Sequence, residues 1–241
     1  MKENNSFRRG IVDGLPICFG YLAVSFAFGI FSISQGLSVF EAVLISAFNL
    51  TSAGQLAAVP IIAAGGGFIE LALSQLVINA RYALMSVSLS QKMGGSVRTH
   101  HRFLIAFANT DEVFAVASSN KEQVGKLYML GLVLTPFLGW TVGTLLGAVA
   151  GNILPEMLVS ALGIAIYAMF IAIVVPVARG ERRVLIASLM AVALSAAFYF
   201  IPKLSEIPSG FAIITTAVSV SLIMAIAAPV PGEEEEGLAD A

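Results

Sequence analysis

Charged residues are scarce in this 241-residue chain. Asp, Glu, Lys and Arg together make up 12% of it, about half of the share that is usual in soluble domains. Hydrophobic residues make up 58%, and the mean hydropathy is +0.90. Because so few charges remain to coat one or two soluble domains, the composition argues against a soluble enzyme.

Cysteine and catalytic motifs are also nearly missing. The single cysteine, Cys18, lies in an apolar stretch; it can form no internal disulfide and no cysteine metal site, and we expect it to be a small buried hydrophobe. No Gly-x-Ser-x-Gly, His-Glu-x-x-His or phosphate-binding Gly-x4-Gly-Lys occurs, so we expect no cofactor, and any transport must run on ion gradients. There is no basic patch with interleaved aromatic residues, so nucleic acid is not an expected partner.

Long apolar blocks dominate the chain instead. About twenty consecutive apolar residues cross a bilayer as a helix. The blocks are 11–33, 39–62, 67–90, 127–150, 155–178, 183–201 and 209–229, with a more polar eighth candidate at 102–118. The sequence therefore predicts an all-α, polytopic helical membrane protein with seven to eight hydrophobic segments. The first block is too long for the apolar core of a signal peptide, and we expect an uncleaved first span.

The expected domain organisation is simple. Residues 1–10 form a cytoplasmic N-terminal segment, 11–229 a single transmembrane transport domain, and 230–241 a solvated acidic tail that contains four consecutive glutamates. Glu41 and Glu70 lie near the ends of apolar blocks, where solvated positions are expected.

Basic residues constrain how the chain crosses the membrane, because short loops rich in Lys and Arg face the cytoplasm. If the first three blocks all cross fully, the basic residues before the first block and those after the third lie on opposite sides, which breaks the rule. The conflict disappears if the second or the third block does not cross fully, and the second is the better candidate. The basic clusters are Arg8/Arg9, Lys92/Arg98/Arg102, Lys121/Lys126 and Arg179/Arg182/Arg183.

The middle of the second block is polar and contains glycine, where a lipid-facing helix should be apolar. Transporters place broken helices of this kind around a substrate site at the bilayer midplane. We therefore predict a broken or re-entrant helix near 49–55. An unbroken helix whose small residues pack closely on its neighbours is the alternative. The candidate substrate or pathway residues here are Asn49, Thr51, Ser52, Gly54 and Gln55.

The third block adds Gln75, Asn79, Arg81 and Tyr82 to these candidates. At 100° per residue, Gln75, Asn79, Tyr82 and Ser86 share one helix face, whereas Arg81 points elsewhere. An arginine this near the middle of a span costs roughly 2.5–3.5 kcal/mol and needs a partner. A permanent structural ion pair is the alternative to contact with the substrate.

Asp111 and Glu112 are the obvious counter-charges for Arg81. They lie in the half-apolar stretch 102–118, and we predict that they carry a coupling proton or pair with the arginine. The alternative is an interfacial loop with ordinary solvated acids, in which Thr110 or Asp111 caps a helix.

A weak internal echo accompanies these motifs. Pro16-x3-Gly20-Tyr21 resembles Pro136-x2-Gly139-Trp140, and structural repeats are common in transporters. The echo favours a duplicated three-segment unit, whose copies are either parallel or inverted.

Four motifs follow one another in the first half of the chain: Gly14-x-Pro16-x3-Gly20-Tyr21 with Phe28-Gly29, Ser52-Ala-Gly54-Gln55, Asn79-Ala-Arg81-Tyr82-x2-Met85-Ser86 and Thr110-Asp111-Glu112-x-Phe114. Together they resemble the large subunit of the AzlC-type branched-chain amino acid exporters. The family often has an alanine where this chain has Gly54. The resemblance implies export of branched-chain amino acids, with methionine as a further candidate, across a bacterial inner membrane, and a separately encoded small hydrophobic AzlD-type subunit.

The predicted function is therefore ion- or proton-coupled secondary export of neutral apolar amino acids. The alternatives are a channel for small solutes and an intramembrane enzyme. The enzyme is disfavoured because no nucleophile is seen beside a base.

Overall fold

The fold is all-α, as predicted. A computed structural model describes residues 3–228, with the backbone alone for Glu3 and for several residues between 156 and 173; the predicted acidic tail 230–241 lies outside the described residues. The elements in chain order are β1 (Glu3–Asn4), α1 (Phe7–Ser34), α2 (Val39–Phe48), α3 (Ala53–Ala63), α4 (Phe68–Lys92), α5 (Thr99–Phe107), α6 (Asp111–Ser118), β2 (Gln123–Val124), α7 (Lys126–Ile153), α8 (Glu156–Gly180), α9 (Arg182–Phe200) and α10 (Ser209–Ala227).

Six of these helices are long enough to span a bilayer. α1 and α7 have 28 residues each, α4 and α8 have 25, and α9 and α10 have 19. At 1.5 Å per residue, even the shortest rises about 28 Å. Within residues 3–228, α1, α7, α9 and α10 are also apolar enough along their length to qualify as spans.

Three segments of the chain meet at one end of the molecule. β1 pairs in parallel with β2, and Met93, which follows α4, forms a bridge to Val124. Three of the predicted basic clusters therefore share this end, which we call the basic end and which the positive-inside rule assigns to the cytoplasm. Since α1 leaves the basic end and α4 arrives there, the chain between them does not make a full crossing.

The second block is broken where predicted. Its first helix stops at Phe48 and its second begins at Ala53, so the unbroken alternative is wrong. α3 then runs antiparallel to α4, because Gln75 donates to the carbonyl of Gly54 at 2.9 Å and Ile61 lies near Glu70 at the start of α4. α2 and α3 thus form a re-entrant hairpin. α2 enters from the end opposite the basic end, and α3 returns to that same opposite end.

The polar stretch 102–118 forms a second hairpin, which the sequence did not predict. α5 starts at the basic end and runs along α4, where Asn109 donates to Ser86 at 3.3 Å. The chain breaks at 108–110, and α6 returns to the basic end, where Asn120 donates to the Tyr128 hydroxyl at 2.9 Å. The two hairpins therefore enter the membrane from opposite sides.

α1 and α7 are packed in parallel along their whole length, with glycines at the contact. A Cβ at Gly10 would lie 2.1 Å from the carbonyl oxygen of Tyr128, and one at Gly147 would lie 1.9 Å from that of Phe26. Both distances are far inside van der Waals contact, so any larger residue must push the helices apart. This glycine seam is the centre of the fold.

The sequence echo corresponds to this helix pair. Pro16 and Pro136 lie inside α1 and α7, and the rings of Tyr21 and Trp140 meet edge to face with centroids 5.1 Å apart. α8 packs on α1 as α2 packs on α7, and the leading helices of the two units, α1 and α7, run parallel because Gly10 lies near Tyr128 and Gly147 near Phe26. The likeness ends there, because α2–α3 turns back whereas α8 is one continuous helix.

Glu70 is buried, and the expectation of a solvated position is wrong for it. Its side chain accepts a hydrogen bond from the backbone N–H of Gly210, at 2.7 Å, in the first turn of α10. A carboxylate here satisfies an N–H that has no partner within the helix and complements the helix dipole. Glu41, by contrast, is exposed as expected and completes a capping box with Ser38.

Replacing Glu70 by alanine should therefore destabilise the protein. The change leaves a buried backbone N–H without a partner, at a cost of about 1–3 kcal/mol, and we expect a thermal midpoint in detergent that is lower by several degrees. Glu206→Ala, in the exposed connection before α10, is the matched control and should melt like the parent. Equal melting of Glu70→Ala and the parent would contradict the capping role.

Candidate functional site at the two helix breaks

The tips of the two hairpins meet at a cavity halfway along α1. Its volume is about 590 Å³, which is typical of a small-molecule site. Its walls come from both breaks and from α1, α4 and α7. The lining residues are Pro16, Ile17, Gly20, Tyr21, Val24, Leu50, Thr51, Ser52, Ala53, Arg81, Tyr82, Thr110, Asp111, Glu112 and Trp140.

Arg81 and Asp111 form an ion pair at the polar side of this cavity. The guanidinium also donates to the Tyr82 hydroxyl at 3.3 Å and lies over the Tyr82 ring, 4.9 Å from its centroid. Both members of the ion pair are about half exposed, with side-chain exposures of 51% and 48%. The arginine thus has the carboxylate partner that its position requires, and it remains accessible to a ligand.

Glu112 has a different partner. The Tyr21 hydroxyl donates a hydrogen bond to its carboxylate, which joins α6 to α1. Among the described residues that line the cavity, Arg81 is the single cation, whereas Asp111 and Glu112 are both acids. Since the ion pair takes up one acid, the cavity has one carboxylate more than its own cation can balance.

Helix ends add backbone groups to the cavity. α3 and α6 both begin there, so their N-terminal N–H groups and the positive ends of their dipoles lie at the breaks. Thr110 caps α6 by accepting from the N–H of Val113 at 3.4 Å, but Ser52 makes no side-chain cap for α3. Ser52 also has φ of +49°, a conformation that costs a non-glycine residue about 1–3 kcal/mol and is concentrated at functional sites.

Several predicted residues lie behind the cavity and hold the first break in shape. Thr51 donates to Asn49 at 2.8 Å, and Asn49 and Asn79 both donate to the side-chain oxygen of Gln75, at 3.3 and 3.1 Å. These bonds join the break to α4. Asn49, Gln75 and Asn79 therefore support the wall and are not in the lining.

Gly54 is required by the same arrangement. A Cβ here would lie 2.4 Å from the Thr51 hydroxyl and 2.6 Å from the Gln75 side-chain oxygen. An alanine at this position would need both side chains to move. The glycine is thus tied to the way in which this chain anchors its break.

Gln55 is fully buried and also lies outside the cavity. It donates to Ser46 at 3.0 Å, and the Ser46 and Thr144 hydroxyls lie 2.7 Å apart. This chain of polar groups links α3, α2 and α7 and fixes the first hairpin against the glycine seam.

The structure thus divides the predicted residues into two groups. Those that line the cavity are Thr51, Ser52, Arg81, Tyr82, Asp111 and Glu112; those behind it are Asn49, Gly54, Gln55, Gln75 and Asn79. Tyr21 and Trp140 also line the cavity; they are not among the predicted site residues, although both belong to the echoed motif. Within residues 3–228, no three His, Cys, Asp or Glu side chains cluster as a metal site requires.

Comparison with known proteins assigns a family to the part of the chain that forms the cavity. The family described as AzlC protein matches residues 16–154, a range that contains every residue of the cavity lining. The chain is 32% identical over 184 residues to an uncharacterized membrane protein of Archaeoglobus fulgidus, covering 76% of this chain and 80% of that one.

Two bacterial relatives are similar over shorter ranges. The inner membrane protein YgaZ of Escherichia coli is 30% identical over 174 residues, which are 69% of this chain and 71% of YgaZ. An uncharacterized membrane protein of Helicobacter pylori is 27% identical over 156 residues, covering 61% of this chain and 67% of the relative. No solved structure matches the chain significantly. The extent of these matches shows that the chain belongs to the AzlC family of membrane proteins.

Proposed function

We propose that the protein is a secondary transporter that exports branched-chain and related neutral amino acids across a bacterial inner membrane. The observation that carries this proposal is the cavity itself, where hairpins from opposite sides of the membrane end around an ion pair. Broken helices at a midplane site are the usual architecture of gradient-driven transporters. Membership of the AzlC family supports the same general class.

The cavity has the groups that a zwitterionic amino acid needs. Arg81 and the N-terminus of α3 suit a carboxylate, and Glu112 suits an ammonium group. The remaining wall is apolar, with Ile17, Val24 and Trp140 among its residues. A small apolar side chain therefore has a surface to bury, whereas a charged side chain has no second partner.

The surplus carboxylate is the basis for proton coupling. Binding of one proton or of one substrate ammonium group to Glu112 balances the charge of the cavity. Glu112 can therefore bind the proton and the ammonium group in turn. The resemblance to AzlC-type exporters further implies a small hydrophobic AzlD-type subunit as partner. Adding that subunit to the transport assay tests directly whether transport depends on it.

Counterflow of labelled leucine into proteoliposomes preloaded with leucine tests the function, with and without the partner subunit. We expect saturable uptake that isoleucine, valine and methionine inhibit and that lysine and glutamate do not. Uptake that rises linearly with concentration would favour the channel alternative. Absence of counterflow in both preparations would contradict amino acid transport.

Single cysteines at the first break test whether water-soluble reagents reach the cavity. In a Cys18→Ala background, we expect Thr51→Cys and Ser52→Cys to react with a membrane-impermeant maleimide, because both positions line the cavity. Gln55→Cys is the control and should stay inert, because that position is fully buried. Leucine should slow labelling of the two reactive positions. Uniform inertness of all three would argue against an aqueous cavity at membrane depth.

A further inference from the structure

Gly20 lies in the cavity wall without a packing reason to be glycine. A Cβ added there would meet no heavy atom of the described part of the chain within 4 Å. In the same helix, a Cβ at Gly14 would approach the Leu132 carbonyl oxygen to 3.0 Å, and one at Gly29 would approach that of Thr144 to 2.3 Å. Those glycines face α7, whereas Gly20 lines the cavity.

A glycine inside a helix weakens that helix relative to alanine. At the seam this cost is offset, because only glycine allows α1 and α7 to approach. At Gly20 no such compensation exists among the residues that the structure describes. A residue that weakens its own helix without a gain in packing is found mainly at functional sites. The missing side chain therefore leaves room for a ligand that enters the cavity.

The wall around this glycine is apolar. Pro16 and Ile17 lie one turn before it and Val24 one turn after it, all on the cavity face of α1. Trp140 of α7 lines the same cavity, and its ring is fixed edge to face against Tyr21 at 5.1 Å. The charged groups of the cavity come from α4 and α6. The open space at Gly20 is therefore suited to an apolar group and not to a charge.

We propose that Gly20 sets the largest substrate side chain that the cavity accepts. The inference rests on the proposed transport of apolar amino acids and adds a size limit to it. With the charged groups of the substrate bound at Arg81 and Glu112, the branched end of its side chain occupies the space that a larger residue at position 20 would fill. Any such residue excludes the bulkiest substrates first.

Counterflow of labelled leucine, valine and alanine through Gly20→Ala and Gly20→Val tests the inference. One methylene in an apolar pocket changes discrimination on the order of tenfold or more, so we expect the valine-to-leucine rate ratio to rise about tenfold in Gly20→Ala. Gly20→Val should lose leucine exchange and keep alanine exchange. The matched control is Gly180→Val, at an exposed helical glycine that also has nothing within 4 Å but lies outside the cavity; it should behave as wild type.

Both Gly20 variants add atoms to open space, so monodisperse elution in detergent should confirm that they fold. Unchanged substrate preference in the folded variants overturns the proposal. An equal loss for all three amino acids overturns it as well, because that result indicates a blocked path and not a size limit. If wild-type protein exchanges none of the amino acids, the proposed function itself fails, and the inference fails with it.

Discussion

Arg81→Ala is expected to abolish leucine counterflow while the protein remains folded in the membrane. The change removes the single cation of the described cavity lining and leaves Asp111 without its partner. Loss of a hydrogen bond to a charged group costs about 1.5–3 kcal/mol, which corresponds to at least about a tenfold loss of binding. Arg81→Lys should retain little activity, because an ammonium group cannot bind the carboxylate and stack on Tyr82 as the planar guanidinium does.

The control for this change lies on the same helix. Lys92→Ala, in the last turn of α4, alters a cation outside the cavity and should leave the rate unchanged. The double variant Arg81→Ala with Asp111→Asn tests the structural alternative. If the double variant recovers transport, the arginine serves only to neutralise the aspartate. Normal transport by Arg81→Ala alone, at wild-type expression, would show that the arginine has no role in the pathway.

Glu112→Gln is expected to abolish leucine flux driven by a pH gradient and to keep part of the leucine exchange, because the amide oxygen of glutamine still accepts a hydrogen bond from the substrate's ammonium group. Exchange requires no net proton movement, whereas driven flux needs the surplus carboxylate to load and release a proton. Asp111→Asn should lose both activities, because it frees Arg81 from its partner and disturbs the binding geometry. Parallel assays of counterflow and of pH-driven flux in the same vesicles measure the difference.

Tyr21→Phe provides the matched control. It removes the hydroxyl that donates to Glu112 but keeps the carboxylate, so pH-driven flux should persist. Driven flux at the wild-type rate in Glu112→Gln would exclude this residue as the proton carrier. Complete loss of exchange together with driven flux in the same variant would limit Glu112 to substrate binding or to structure.

The first helix break could be predicted because two independent signals agree on it. The polar residues at 49–55 interrupt an apolar block, and the distribution of Lys and Arg requires one block not to cross. The second break, at 108–110, has only the first signal. Its depth depends on the contacts of Asp111 with Arg81 and of Glu112 with Tyr21, which no local pattern reveals.

The direction in which a polar side chain points was harder to predict than its presence in the membrane. Their positions in the sequence predict that Gln55 and Asn79 lie in the pathway. Both lie behind the cavity, because hydrogen bonds to other side chains hold them there. The position of Glu70 near the end of an apolar block predicts a solvated side chain. Its burial depends on α10, whose start is far away in the sequence, so helical periodicity within α4 could not indicate it.

The glycine seam has a consequence for synthesis. Asp13 and Tyr128, which meet across it through a hydrogen bond, are 115 positions apart. At about 5–20 residues per second, the ribosome needs roughly 6–23 s to make the intervening chain. During that time the face of α1 that carries the seam glycines lies against lipid or against the membrane insertion machinery. Assembly of the core therefore waits for the seventh helix, and a chain truncated before it would expose its closest-packing surface to degradation.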